Sequence, residues 1–231
     1  MTLRALIFDV DGTLAETEEV HRQAFNETFA EHGLFWHWSV DDYRELLKTT
    51  GGKERIRAYA NSIGLVLDDD HVRRLHADKT RRYGELIASG TVGLRPGIAE
   101  LIADAAEKGV RLAVATTTNR PNVDALIEAT FNRPAGDVFE IIAAGDEVGA
   151  KKPAPDVYLL ALEGLGLKPA DCVAFEDSVN GLLSAKGAGL ETIISPSRYT
   201  EGGDFSGALA VYDDLRHIAS IEKLQNLAVA A

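Results

Sequence analysis

Two aspartates, Asp9 and Asp11, stand two residues apart where an apolar run near the start of the chain ends. The run Leu3–Phe8 is typical of a strand that is buried on both faces of a parallel sheet. Open α/β sheets bind their ligands at the carboxyl ends of such strands. Because two carboxylates there are costly unless a cation or a reaction needs them, the spacing predicts a metal-assisted active site. The alternative is an Asp-Gly turn after an edge strand, but a plain turn does not require two acids.

Three later stretches place polar side chains where further predicted strands end. The hydroxyls and backbone N–H groups of residues 116–119 (Thr-Thr-Thr-Asn) suit phosphate oxygens, although the same residues could simply cap the next helix. Lys152 stands before a proline and a predicted helix, where a lysine is more often a solvated surface charge. Glu176 and Asp177 are again paired acids at a strand end, with helix capping as the plain alternative. Because all these strands belong to one predicted sheet, the stretches are expected to gather at one edge.

The chain divides into a helical part and an alternating part. The predicted helices between residues 16 and 91 are Glu18–His32, Ser39–Thr49 with Ser39 as its N-cap, Lys53–Ile63 and Asp69–Ser89. The aromatic residues Phe35, Trp36 and Trp38 are expected to pack between these helices.

Beyond residue 92, strands and helices alternate, which indicates βαβ units around a parallel sheet. The predicted strands are Arg111–Ala115, Ile141–Ala144, Cys172–Phe175 and Thr192–Ile194. The predicted helices are Ile98–Lys108, Asn122–Phe131, Asp156–Leu165 and Ser178–Gly189. We therefore predict an α/β fold with a doubly wound, Rossmann-like core of residues 1–15 and 92–231. A helical cap of residues 16–91 is inserted after the first strand, and the alanine-rich end Leu227–Ala231 is expected to be frayed.

The composition restricts the class of protein. The 231 residues carry 24 Lys and Arg against 36 Asp and Glu, a net charge of −12, which disfavours nucleic acid or an anionic membrane as the main partner. The single cysteine, Cys172, fits a reducing compartment. We expect no secretory signal, and the sequence contains no apolar stretch long enough to span a bilayer. We expect a monomeric, cytoplasmic protein that binds a small molecule; an organelle stroma is the alternative if a transit peptide was removed.

The order of the four polar stretches, Asp-x-Asp-Gly-Thr, Thr, Lys-Pro and Glu-Asp, resembles the haloacid dehalogenase superfamily of phosphotransferases. The resemblance spans nearly the whole chain, including the inserted cap. It implies that Asp9 is the nucleophile that forms an aspartyl phosphate, and that Asp11 is the acid and base. Thr116 and Lys152 are implied to hold the transferring phosphoryl group. The implied ligands of the cofactor Mg²⁺ are Asp9, Asp11 through its backbone carbonyl, Glu176 and Asp177. Asp11 also argues against dehalogenation, because dehalogenases of the superfamily lack this second acid.

Segments 16–21, 49–55, 76–79 and 116–122 look like those of CbbY-type phosphatases, which act on xylulose-1,5-bisphosphate, an inhibitory by-product of Rubisco. The substrate-binding residues that this resemblance implies are Glu18, Thr50, Gly51, Gly52, Lys53, Arg55, His76, Lys79, Thr117, Asn119, Arg120 and Asn122. Each has a plain alternative, since a glycine pair can end a helix and cations on a helical face are usually solvated. A bisphosphate nevertheless needs cations away from the catalytic metal, and an acidic protein must supply them locally. The expected partner is therefore a sugar bisphosphate.

Three other functions compete with this interpretation. A β-phosphoglucomutase-like isomerase shares the cap, the acids and a histidine corresponding to His21. Thr13, where such mutases typically carry valine, and the Thr116–Thr118 run in place of their Ser-Ala-Ser pattern favour a phosphatase. Phosphoglycolate phosphatase is a second alternative. A catalytically silent sugar-phosphate sensor is the third, and the intact acids argue against it.

Overall fold

Six parallel strands form one sheet in the part of the chain that the computed structural model describes, residues 3–230, with side chains through residue 227. The strands are β1 (Ala5–Phe8), β2 (Arg111–Ala115), β3 (Ile141–Ala143), β4 (Cys172–Glu176), β5 (Glu191–Ile194) and β6 (Ala210–Val211). The helices are α1 (Glu18–Glu31), α2 (Val40–Leu46), α3 (Gly52–Ser62), α4 (Asp69–Ala88), α5 (Ile98–Glu107), α6 (Arg120–Phe131), α7 (Asp156–Leu165), α8 (Val179–Gly187) and α9 (Ile221–Ala230). The predicted α/β fold with a parallel, doubly wound core is confirmed.

Strand β1 lies at the centre of the sheet and separates two hydrophobic layers. Its side chains alternate: Leu6 and Phe8 pack into one buried cluster, whereas Ala5 and Ile7 pack into the other. Burial on both faces explains why the strand reads as a continuous apolar run. The sheet order is β3-β2-β1-β4-β5-β6. Strands β2 and β3 lie on one side of β1, and strands β4, β5 and β6 lie on the other, so the order in which strands are added changes direction between β1 and β4. Ligands of open α/β sheets bind at such a switch point, beyond the carboxyl ends of the strands.

Helices α1–α4 and the loops between them, which we call the helical insert, follow β1 in the chain. Their aromatic side chains form a buried cluster, which we call the aromatic cluster; its rings come from Phe25, Phe29, Trp36, Trp38 and Tyr43 of the insert and from Tyr199. The expectation that Phe35 packs between the helices is wrong, because its side chain is fully exposed while its neighbour Trp36 is buried. The boundaries predicted for the cap, residues 16–91, stay a prediction.

Several predicted element ends move by one to three residues. Ser39 caps α2 as expected, since it accepts a hydrogen bond from the Asp42 amide at 3.1 Å, but the helix ends at Leu46 rather than Thr49. The sequence interpretation missed β6 and α9 altogether. Helix α9 extends to Ala230, Ala231 lies outside the described residues, and the fraying expected for Leu227–Ala231 stays a prediction.

The chain enters and leaves the insert at one place. Ala15 and Leu94 form an antiparallel bridge, and the Arg95 amide donates to the Leu14 carbonyl at 2.8 Å. The buried Arg95 guanidinium donates to the carbonyls of Gly12 and Ser195, which ties this crossing to the loops at the sheet edge. None of the helices within residues 3–230 combines the length with the apolar character that a membrane span requires.

Candidate active site

A cavity of about 330 Å³ lies between the carboxyl edge of the sheet and the helical insert. Most of the residues predicted from the sequence line it: Asp9, Asp11, Glu18, Thr50, Gly51, Gly52, Lys53, Arg55, His76, Lys79, Thr117, Asn119, Asn122, Lys152 and Asp177. Three predicted residues do not line it: Thr116, Arg120 and Glu176. The folded chain thus brings together residues that are separated by up to 168 positions.

Lys152 holds the acids on the sheet side of the cavity. Its ammonium donates to Asp9 Oδ1 at 2.7 Å, to Glu176 Oε1 at 2.5 Å and to the Ala115 carbonyl at 2.8 Å. Burial would lower the pKa of Lys152, but the carboxylates of Asp9 and Glu176 outweigh it and raise that pKa. Lys152 is therefore a fixed positive charge beside Asp9. Tyr158 completes the arrangement, because its hydroxyl donates to Glu176 Oε1 at 2.8 Å and its ring faces the ammonium.

The acids at this edge form a group that suits a hard cation. One carboxylate oxygen from each of Asp9, Glu176 and Asp177 lies within 4.8 Å of the others, and all three residues are buried. Burial, opposed by Lys152 and reinforced by Glu176, raises the pKa of Asp9 to about 7. Burial and the charges of Asp9 and Glu176 also raise the pKa of Asp177 well above its usual value. Carboxylate oxygens crowded in this way are the ligand set that Mg²⁺ prefers, and a divalent cation would relieve their repulsion.

The Asp11 side chain stands apart from that group and faces the insert. Its Oδ1 accepts hydrogen bonds from Thr17 Oγ1 at 2.6 Å and from His21 Nε2 at 2.9 Å. Lys79 Nζ lies 2.6 Å from His21 Nδ1; because an ammonium can only donate, Nδ1 accepts and Nε2 carries the proton. Burial disfavours the Asp11 carboxylate, but His21 and Thr17 outweigh burial and lower its pKa to about 2. Asp11 is thus ionised and held from the insert side, with Tyr83 stacked on the His21 ring at 4.1 Å.

The loop after β2 provides polar groups on a second side of the cavity. Thr116 is buried beneath the loop, where its hydroxyl accepts the Thr118 amide at 3.2 Å. Asn119 caps α6 by accepting the Asn122 amide at 3.2 Å, and its Nδ2 donates to Thr80 of the insert at 3.0 Å. Asn122 lines the cavity, and its Oδ1 is buried without a hydrogen-bond partner among the described residues.

Arg120, which the sequence predicts to bind substrate, does not line the cavity. It is the first residue of α6 and exposed, and its guanidinium pairs with Asp124 at 2.9 Å, one helical turn along. Because α6 begins two residues earlier than predicted, Arg120 lies on the outer face of the helix, and the geometry gives its predicted substrate contact no support.

The insert supplies two buried cations to the cavity. Arg55 donates to the Tyr43 hydroxyl at 2.9 Å and to the Leu46 carbonyl at 3.2 Å. Lys79 Nζ donates to His21 Nδ1 and lies 4.8 Å from the centre of the Phe25 ring. Neither cation forms an ion pair with a carboxylate in the part of the chain that the structure describes. Burial lowers the pKa of Lys79 to about 7; Asp11 opposes this shift and the Arg55 charge adds to it. Lys79 is therefore only partly protonated at neutral pH in the free site, and an anion bound beside Arg55 and Lys79 would favour its charged form.

The remaining insert residues shape this end of the cavity. Lys53 is half-buried and pairs with Asp146 of the core at 3.2 Å. Burial and the charges of Lys79 and Lys53 lower the pKa of His76 to about 3, so His76 is neutral at neutral pH and offers a hydrogen bond rather than a charge. A side chain at Gly52 would meet the His76 ring at 2.7 Å, which explains a glycine there. The glycine pair begins α3 and does not end α2.

Sequence reasoning missed several residues that shape the site. Tyr43 stands behind the cavity, where its hydroxyl donates to Glu18 at 3.0 Å and accepts from Arg55. Thr200 lines the cavity and donates to Asp177 Oδ2 at 3.1 Å. Tyr158 supports Glu176 from below. No short motif in the sequence marks these residues, because each meets its partner only after the chain has folded.

The comparisons with known proteins agree with this geometry. The sequence model of the haloacid dehalogenase-like hydrolases matches residues 3–189. Protein CbbY of Rhodobacter capsulatus is 66% identical over 208 residues, which are 90% of this chain and 92% of that protein. The crystal structure of CbbY from Rhodobacter sphaeroides in complex with phosphate has a TM-score of 0.94 and 52% identity, covering 96% of this chain and 99% of that chain. A variant of the same CbbY in complex with xylulose-(1,5)bisphosphate has a TM-score of 0.93 and 51% identity, with the same coverage. This chain therefore belongs to the haloacid dehalogenase-like hydrolase family, in which it is a phosphatase that resembles the CbbY proteins.

Proposed function

We propose that this phosphatase hydrolyses xylulose-1,5-bisphosphate, with Mg²⁺ as cofactor and an aspartyl phosphate on Asp9 as the intermediate. The reaction would remove an inhibitor of Rubisco, in the cytoplasm, through a monomeric enzyme. In this proposal the core comprises residues 1–15 and 92–231, and the helical insert is a cap of residues 16–91. The R. sphaeroides CbbY complex with xylulose-(1,5)bisphosphate supports the choice of substrate.

The observation that carries the proposal is the pair of buried cations, Arg55 and Lys79, at the insert end of the cavity. A phosphatase for monophosphates needs cations only around the phosphoryl group that it removes. Here Lys152 and the acid group already occupy the sheet end, and two further buried cations lie on the insert without a carboxylate partner among the described residues. A second phosphate would pair with both cations and relieve their mutual repulsion.

The core residues then carry out two successive displacements at phosphorus. In the first, a carboxylate oxygen of Asp9 attacks the phosphorus atom, the bond from phosphorus to the sugar oxygen breaks, and Asp11 gives a proton to that oxygen. Asp11 is ionised in the free site, so it takes up this proton when the negative charge of the bound substrate raises its pKa. In the second, a water molecule attacks the phosphorus of the aspartyl phosphate, Asp11 takes the water proton, and the bond to Asp9 breaks to release phosphate. Lys152 stabilises the negative charge on the phosphoryl oxygens in both steps.

Mg²⁺ fits the acid group for the reason given above, and Asp9, Glu176 and Asp177 would hold it together with the backbone carbonyl of Asp11. When bound, it would neutralise charge on the phosphoryl oxygens and on the crowded carboxylates. The Asp11 carboxylate would stay free for proton transfer, because Thr17 and His21 hold it on the insert side.

Arg55→Ala is expected to lower kcat/KM on xylulose-1,5-bisphosphate by about ten- to a hundred-fold, because a charge-assisted hydrogen bond contributes about 1.5–3 kcal/mol. The same variant should change kcat/KM on xylulose 1-phosphate and xylulose 5-phosphate much less. Each has only one phosphate, and when that phosphate lies at the catalytic end, no distal phosphate is left for Arg55 to contact. The measurement is phosphate release from the three substrates by the variant and the wild type.

Two variants serve as controls. Arg57→Ala alters a neighbouring, partly exposed residue of α3 that pairs with Asp69, and it should leave all three rates unchanged. Lys152→Ala should impair every substrate. Equal losses on the bisphosphate and on both monophosphates in Arg55→Ala would mean that Arg55 serves the fold of the insert rather than the second phosphate.

A further inference from the structure

The loop after β5 forms a tight turn, residues 197–200, which we call the latch turn. The amides of Thr200 and Glu201 both donate to the Ser197 carbonyl at 3.0 Å. The Ser197 amide in turn donates to the Thr200 hydroxyl at 2.8 Å. These bonds fix Tyr199 and Thr200, two adjacent residues, in one rigid piece of backbone.

The two side chains contact different parts of the molecule. Thr200 Oγ1 donates to Asp177 Oδ2 at 3.1 Å, and so contacts the acid group of the core. Tyr199 inserts into the aromatic cluster of the helical insert, where it is only 6% exposed. Its hydroxyl donates to Glu19 Oε2 at 2.5 Å, and its ring meets the Tyr43 ring edge-on at 5.8 Å between centroids.

The contact with Tyr43 extends to the cavity. The Tyr43 hydroxyl accepts from Arg55 at 2.9 Å and donates to Glu18 at 3.0 Å, and both of these residues line the cavity. A continuous series of contacts therefore runs from Asp177 through Thr200 and Tyr199 to the insert side of the site.

We infer that the latch turn couples cation binding at Asp177 to seating of the helical insert. Thr200 is a positioning residue, because a hydrogen bond to a carboxylate ligand fixes the direction of its free oxygen. A cation that fixes the Asp177 carboxylate also fixes Thr200 and, through the turn, Tyr199. The contacts of Tyr199 with the aromatic cluster then hold the insert more tightly against the core. By reciprocity, a seated Tyr199 holds Thr200 where Asp177 is ready for the cation. The inference rests on the proposed function for the place of Mg²⁺.

The test uses Mg²⁺ alone, without substrate, and two readouts. The chain has two tryptophans, Trp36 and Trp38, and both lie in the aromatic cluster, so tryptophan emission reports the state of the insert. Isothermal titration calorimetry reports Mg²⁺ binding itself. In the wild type, the tryptophan emission should change during the Mg²⁺ titration, with the same midpoint as the calorimetric titration. Because the acid group lies in the core, this change would show that binding there alters the insert.

Variants of Thr200 and Tyr199 test separately the contact of the latch turn with Asp177 and its contact with the helical insert. Thr200→Val keeps the shape of the side chain but removes the bond to Asp177; Mg²⁺ affinity should fall about tenfold, and saturating Mg²⁺ should no longer change the emission. Tyr199→Ala should lower Mg²⁺ affinity about fivefold or more and also abolish the emission response. Tyr59→Ala is the matched control, because Tyr59 packs against both tryptophans from within the insert. That control should shift the emission baseline but keep the Mg²⁺ affinity and response of the wild type.

The outcomes distinguish the latch from the proposed function. If the wild type binds no Mg²⁺, both inferences fail. If it binds Mg²⁺ with no emission change, or if Thr200→Val responds like the wild type at saturation, the latch alone is wrong. Thr200→Val is nearly isosteric, so it provides this decision even if Tyr199→Ala does not fold.

Discussion

Asp9→Asn is expected to lower phosphate release by about 10⁴-fold or more while the protein stays folded. The amide keeps the shape of the carboxylate but is too weak a nucleophile to form an acyl phosphate. Asp9 also accepts the Lys152 ammonium at 2.7 Å, and an asparagine oxygen can accept that bond, so the local packing should survive. The measurement is the rate of phosphate release by purified variant and wild type, with circular dichroism to check the fold.

The control for this variant is Asp137→Asn, an exposed aspartate outside the cavity, which should retain full activity. Phosphate release by Asp9→Asn at the wild-type rate, from a preparation free of contaminating phosphatase, would remove Asp9 from the role of nucleophile. Incubation with substrate should also label the wild type, and not the variant, with an acid-stable phosphate that hydroxylamine releases.

Removal of the divalent cation is expected to abolish activity, and Asp177→Ala should weaken Mg²⁺ binding by about 100-fold or more, since even supporting residues contribute 10- to 100-fold. Burial and the neighbouring carboxylates raise the pKa of Asp177, so its ionised form disfavours the folded state at neutral pH. Asp177→Ala should therefore leave the thermal stability of the metal-free protein unchanged or increase it. Calorimetry with Mg²⁺ and thermal unfolding in EDTA measure the two effects separately.

Glu201→Ala, a change at an exposed acid near the latch turn, is the matched control and should bind Mg²⁺ as the wild type does. Full activity in EDTA would exclude a metal-assisted reaction. If Asp177→Ala lowered the free energy of unfolding of the metal-free protein by as much as it weakened the free energy of Mg²⁺ binding, Asp177 would instead have a structural role.

The parallel core could be predicted because its signals are local. The strand Arg111–Ala115 and the helix Asp156–Leu165 have the predicted bounds, since apolar runs and helical periodicity act over a few residues. Strand β6 is only two residues long and has no such pattern. Phe35 and Trp38 show the limit of composition: both belong to one aromatic stretch, but only the chain direction after α1 decides that Trp38 is buried and Phe35 is exposed.

The residues of the candidate site likewise fall into those that the sequence predicts and those that only the folded chain reveals. The residues at strand ends, such as Asp9 and Asp177, could be placed because the topology of a parallel sheet brings those ends together. Tyr158, Tyr199 and Thr200 could not, because their roles depend on contacts between distant segments that carry no motif. Tyr199 meets Glu19 across 180 positions, and only the folded chain reveals that pair.

The central claim is that the cavity is built for a substrate with two phosphates, and substrate preference tests it most directly. Phosphate release by the wild-type enzyme with Mg²⁺ should be measured on xylulose-1,5-bisphosphate, xylulose 1-phosphate and xylulose 5-phosphate, alongside isomerisation of β-glucose 1-phosphate. We predict a kcat/KM on the bisphosphate at least about tenfold above that on either monophosphate, and no isomerisation, because we propose that Arg55 and Lys79 stabilise the distal phosphate. Equal efficiency on a monophosphate, or isomerisation of the glucose phosphate without phosphate release, would contradict the account.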